Sequence, residues 1–213
     1  MGRSSASKKG KPDPKLRAAL GFRAHSGWAA VVAVGGVASS FPAVLDRRRI
    51  ELVEPGVPKQ PYHAAEGLDL AQAEKIITRS VDLATRLARQ AVRAVIDNLR
   101  NQGYEVVSCG MLQAAGRTLP GLTEILASHA LIHAAEGELF RNVLVSAGEH
   151  YALPLTRVKE RELYATAVVQ LHLSLEQLQH RVAEIGRPIG PPWSQDQKYA
   201  ALVGWLALLA ASR

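Results

Sequence analysis

The stretch that decides the fold is AALGFRAHSGWAAVVAV, residues 18–34: two apolar runs broken at Ala24-His25-Ser26-Gly27. Apolar runs of strand length on either side of a short, glycine-containing break predict two strands joined by a tight turn. Downstream, Gly35-Gly36 and Ser39-Ser40 mark a second turn, and Pro42 to Val53 predicts a third strand. Within it Arg47, Arg49 and Glu51 alternate with Arg48, Ile50 and Leu52, the pattern of an edge or half-exposed strand. Residues 54–67 hold three prolines and read as a loop.

Asp69 opens a long helix, with Gln72 as capping-box partner and Gly103 as terminator. At ~100° per residue, Leu70, Ala73, Ile77, Ala84, Leu87, Ala91, Val95 and Leu99 share one face. Glu105 to Leu112 predicts a fourth strand, Leu122 to His150 a single helix, and Leu155 to Val158 a short fifth strand. Helical periodicity resumes at Arg161, restarts at a capping box on Ser174 and stops at Gly186. Ser194 with Gln197 opens the last helix. The order β-β-β-α-β-α-β-α implies a mixed sheet with helices on its faces.

Ala19-Leu20-Gly21-Phe22-Arg23, a turn, then Gly27-Trp28-Ala29-Ala30-Val31 resembles the opening of RuvC-type Holliday-junction resolvases. Those begin with a strand ending in Asp, a turn, and a second strand starting Gly-aromatic. Asp196-Gln197-Lys198-Tyr199-Ala200-Ala201-Leu202 is similar to their final helix, where acidic residues precede an Ala/Leu run. The resemblance covers most of residues 18–210 in layout. It implies a ribonuclease H-like α/β fold with the first three strands antiparallel and the fourth beside the first. The family's acidic residues, however, are largely replaced. Arg23 stands where the family places its first metal-binding Asp, and Ser108-Cys109-Gly110-Met111 offers no carboxylate where it places a Glu. Only Asp196 is in a comparable position. Two-metal phosphoryl chemistry needs several hard oxygen ligands around Mg²⁺. The expectation is therefore a degenerate domain without the family's Mg²⁺-dependent cleavage.

The length of 213 residues suits a flexible basic arm over residues 1–17 and one ribonuclease H-like domain over 18–213. Of the net charge of +7, five units come from the arm, where six basic residues face Asp13 alone. An arm of Ser, Gly, Lys and Pro suits weak polyanion binding or a merely solubilising end. The single cysteine, Cys109, lies in an apolar stretch, which excludes a disulfide framework and predicts a buried structural thiol in a reducing compartment. The basic start runs into Pro12-Asp13-Pro14, and the run from Tyr199 to Ala211 is short of the ~18–20 apolar residues of a membrane span. A cytoplasmic protein with no membrane partner is expected; oligomeric state is not legible.

His129, His133 and Glu136 are spaced to share one helical face with Leu122, Ile125, Leu126, Phe140 and Val143, so they are expected to point inward. Two imidazoles and a carboxylate suit a Zn²⁺ or Fe²⁺ ligand set, a polar pocket, or a hydrogen-bonded structural cluster. Candidate catalytic residues are His133, Glu136, Asp196 and Lys198, with Arg23, His129 and Trp193 lining the pocket. A divalent metal is one open cofactor, and an Arg23–Glu136 ion pair is expected to offset the burial. Lys75, Arg79, Arg86, Arg89, Arg93 and Arg100 fall on one arc of the long helix, interrupted by Asp82 and Asp97. With Arg47, Arg48 and Arg49 they form the candidate nucleic-acid surface, or else an ordinary solvated face. Two functions follow from these constellations: a nucleic-acid-associated protein, or a metal-assisted hydrolase or nuclease using an inward His/Glu/Asp cluster.

Overall fold

The computed structural model describes residues 16–36, 41–114 and 118–212, so most of the basic arm lies outside the described residues. Five strands form one sheet in the order β3-β2-β1-β4-β5: β1 (Leu16–His25), β2 (Trp28–Gly36), β3 (Ala43–Glu51), β4 (Tyr104–Gln113) and β5 (Leu155–Lys159). β1, β2 and β3 are antiparallel neighbours, and β4 and β5 run parallel to β1. The expected meander and the fourth strand beside the first are both present. Strand β1 starts at Leu16, because Arg17 is already paired with Gly36 and with Glu105. Its guanidinium also bonds the Ala211 carbonyl and the Ser212 hydroxyl, so Arg17 belongs to the sheet and not to the arm.

The helices are α1 (Pro61–Ala64), α2 (Leu70–Asn101), α3 (Leu122–Leu126), α4 (His129–His150), α5 (Leu163–Leu171), α6 (Leu175–Glu184) and α7 (Gln195–Ala210). They divide between two cores. Ala18, Leu20 and Phe22 of β1 turn toward α2 and α4, where they meet Ala84, Val92, Phe140 and Leu144. On the opposite face Val32, Val34, Leu112 and Val158 meet α5, α6 and α7. β1 and β2 are covered on both sides, which explains their unbroken apolar runs. Cys109 is fully buried, and burial pushes its thiol up to about 12, consistent with a structural role.

Local sequence accounts for most boundaries. The Asp69 side chain accepts the Gln72 N–H at the start of α2, and Gly103 takes a left-handed φ of 85° just beyond its end. Both Ser174 and Ser194 form reciprocal capping boxes, with Gln177 and Gln197. Two expectations are corrected. Leu70 is exposed and the buried side of α2 includes Ser80, Leu83, Ala88 and Val92, a face turned relative to the one expected. The helix expected over 122–150 is two helices. Ser128, in an extended conformation, interrupts it and makes His129 the first residue of α4.

Candidate functional site

At the end of β1, on the side facing α7, the floor is made of two glycines. Gly21 and Gly110 are paired neighbours on β1 and β4. A Cβ on Gly21 would collide with the Ala200 carbonyl, and one on Gly110 with that of Val203. The α7 backbone therefore rests directly on the sheet. The Ser194 capping box starts α7 so that Asp196, in its first turn, overhangs Arg23. Arg23 Nε lies 3.0 Å from Asp196 Oδ1, and Arg23 Nη2 donates to Glu160 Oε1 at 2.9 Å. His25 Nε2 approaches the same Asp196 oxygen at 3.0 Å, and the Arg23 guanidinium sits 4.6 Å from the Tyr199 ring centre. The Arg23 side chain is only 18% exposed, and that of Asp196 29%. Beside them lies a hollow of ≈ 360 Å³ lined by Gln113, Lys159, Glu160, Arg161 and Tyr199.

These residues do not fit the two-metal centre that the resemblance implies. A hard divalent cation needs several free carboxylate oxygens. Here Asp196 and Glu160 are both turned onto a guanidinium whose charge is permanent and repels the cation. Lys198 is half-buried one turn into the same helix. Trp193 does not line the site: its indole N–H donates to the Val182 carbonyl at 2.9 Å and its ring covers Gly186.

The second polar cluster lies on the other face of the sheet, and the expected Arg23–Glu136 pair does not form. Because side chains alternate along a strand, Phe22 points to α4 and Arg23 to α7. Glu136 is 2% exposed. Its Oε1 accepts the backbone N–H groups of Tyr62 at 2.7 Å and His63 at 3.1 Å, and lies 3.4 Å from His63 Nδ1. Among the described residues its Oε2 has no partner. Burial raises the Glu136 carboxyl above its usual range, opposed by the hydrogen bonds from His63 and Tyr62. The Tyr62 hydroxyl is raised as well, by burial and by Glu136.

His129 and His133 were expected to be buried with Glu136 but are exposed. Their Nε2 atoms are 3.0 Å apart, and His63 completes the group, its ring centre 4.6 Å from that of His133 and 5.5 Å from that of His129. One nitrogen from each lies within 4.8 Å of the others. His63 comes from the segment read as a loop. The available signal was Pro61 after Gln60, since Pro is favoured in the first turn of a helix. Asp196 and Lys198, on α7, do not join this cluster; the expected His/Glu/Asp centre is two separate sites.

Of the expected basic surface, Lys75, Arg79, Arg86, Arg93 and Arg100 are exposed along α2, whereas Arg89 is half-buried. Arg86 pairs with Glu54 at 3.4 Å, and Asp97 pairs with both Arg93 and Arg100. The three arginines of β3 each have partners within the chain. Arg47 donates to the carbonyls of Ile189, Gly190, Pro191 and Pro192. Arg48 pairs with Asp46 at 2.6 Å; Arg49 pairs with Glu51 at 2.6 Å and lies 3.8 Å over the Trp28 ring centre.

No family model matches the sequence, nor does any curated protein. Solved structures do match. The chain is similar to Thermus thermophilus RuvC in complex with a Holliday junction substrate, at 12% identity and a TM-score of 0.55, covering 92% of this chain and 95% of that one. A second Thermus thermophilus RuvC structure matches at 11% identity and a TM-score of 0.50 over the same shares. The fold is ribonuclease H-like with the RuvC layout. No described helix is long and apolar enough to cross a membrane.

Proposed function

We propose that the protein is nucleic-acid-associated, a basic arm joined to one ribonuclease H-like domain that holds phosphate backbones and does not perform the family's Mg²⁺-dependent cleavage. The observation that carries this reading is the Arg23–Asp196 ion pair at 3.0 Å, which puts a fixed positive charge at the end of β1. That cation opposes binding the metals that would cut a nucleic acid; because Asp196 and Glu160 already balance it, the phosphate backbone falls to the exposed bases of α2 and to the arm. The exposed bases of α2, from Lys75 to Arg100, extend the positive surface for roughly 37 Å at the helical rise. The arm, without Arg17, adds four net charges. The RuvC neighbour's complex with a Holliday junction supports a nucleic-acid partner for this fold. A cytoplasmic location accompanies the reading.

Fluorescence anisotropy with a labelled DNA duplex, a four-way junction and an RNA hairpin tests it. Binding is expected to weaken with salt at a log–log slope of about −4, since each neutralised phosphate contributes roughly 0.9. Lys75→Glu with Arg79→Glu should flatten that slope. Absence of binding at about 50 mM salt, where the electrostatic contribution is strong, sinks the proposal. So does Mg²⁺-dependent cleavage that Asp196→Ala abolishes.

A further inference from the structure

His63, His129 and His133 are brought together by two devices that have nothing to do with the Arg23 site. The start of α4 at His129 places two histidines one turn apart, with their Nε2 atoms 3.0 Å from each other. The short helix α1 then brings His63 against them, held from behind by Glu136. With Nδ1 facing the Glu136 carboxylate, the Nε2 of His63 is left for the centre of the group. Three imidazole nitrogens around a tetrahedral Zn²⁺, at about 2.0–2.1 Å each, are roughly 3.3 Å apart. The observed nitrogens, all within 4.8 Å of one another, need only small side-chain rotations to reach that spacing.

We propose that His63, His129 and His133 form a three-imidazole site for a zinc-class divalent cation, with Glu136 orienting His63 from the second shell of ligands. Imidazole nitrogens select borderline cations such as Zn²⁺ over Mg²⁺ or Ca²⁺, which take oxygen. A histidine ligand whose other nitrogen meets a carboxylate is the usual arrangement behind such ions, because it fixes the ring and raises its basicity. The buried carboxylate supplies the independent argument. Glu136 is satisfied on one oxygen only, by peptide N–H groups and an imidazole, and a cation on His63 would provide the positive charge that this burial lacks. Three protein ligands leave a fourth tetrahedral position, and the exposure of His129 and His133 opens it to water. The ion would tie α1 to α4. The site stands independently of the nucleic-acid reading.

The test uses the full chain without a polyhistidine tag, stripped with EDTA and titrated with Zn²⁺ against a chromophoric chelator. Titration with Co²⁺ is followed by visible absorption. One equivalent should bind, with Co²⁺ bands of tetrahedral intensity. His129→Ala and His133→Ala replace exposed side chains and should fold normally while losing the bands. Glu136→Gln should weaken Zn²⁺ by about 10–100-fold, the usual effect of removing such a carboxylate partner. His180→Ala, on α6, should change nothing. Failure of wild type to bind one equivalent overturns the site. Affinity unchanged in His63→Ala also overturns it, since that is the behaviour of a surface histidine pair alone.

Discussion

Asp196 and Glu136 sit on opposite faces of one sheet and are satisfied in opposite ways. Asp196 meets a guanidinium and a histidine, and Glu160 holds the same arginine from another direction. That cluster contains its own counter-charges. Glu136 is far more deeply buried, yet its partners are two peptide N–H groups and an imidazole. Dipoles can hold a carboxylate without supplying a charge. The contrast teaches that a buried acid is not by itself a sign of a metal centre. What distinguishes the two sites is whether a permanent cation is already built in.

Three experiments break or sharpen this contrast. The largest effect is expected from Gly21→Ala, which drives a methyl group into the Ala200 carbonyl beneath α7. A loss of about 3 kcal/mol in urea unfolding, at the upper end for overpacking, is expected. A loss under about 1 kcal/mol would mean that α7 can lift off its floor at little cost. Next, Glu136→Ala leaves two half-buried peptide donors without their acceptor and should lower stability by about 2 kcal/mol, with Glu136→Gln recovering part of it. A variant as stable as wild type would show that those bonds contribute nothing net. The smallest effect is the most discriminating. A double-mutant cycle on Arg23→Ala and Asp196→Ala should give a coupling of about 1 kcal/mol, as partly exposed pairs do. The cycle on Arg23→Ala and Glu136→Ala should couple by less than about 0.5 kcal/mol. A larger coupling there contradicts the separation of the two faces.

The order of elements along the chain was legible because it rests on local signals: the break at Ala24–Gly27, the caps at Asp69, Ser174 and Ser194, and the Gly103 stop; the place of the fourth strand beside the first came from the resemblance. The polar sites were legible only in part. Helical spacing correctly puts His129, His133 and Glu136 in one direction, but direction is not depth. Core and α1 cover Glu136, while His129 and His133, nearer the start of α4, stay exposed. The error over Arg23 had a remedy in the sequence. Phe22 and Arg23 are adjacent, so whichever face takes the ring cannot also take the guanidinium. His63 had only the signal of Pro61 to mark it, for a different reason. It joins residues more than 60 positions away through a four-residue helix, and no periodicity announces an element so short.

The glycine floor has a consequence for anything that approaches Arg23. Gly21 and Ala200 meet backbone to backbone; Arg23 lies two residues along from one, and Asp196 one helical turn back from the other. The ion pair thus closes a short circuit whose opposite corner is already pinned, so forming it orders little that is not ordered already. An incoming oxyanion competes with a tethered carboxylate at high effective concentration. A ligand presenting one oxygen at a time is at a disadvantage in that exchange. A phosphate, able to offer two oxygens to the guanidinium fork at once, is better equipped to displace Asp196.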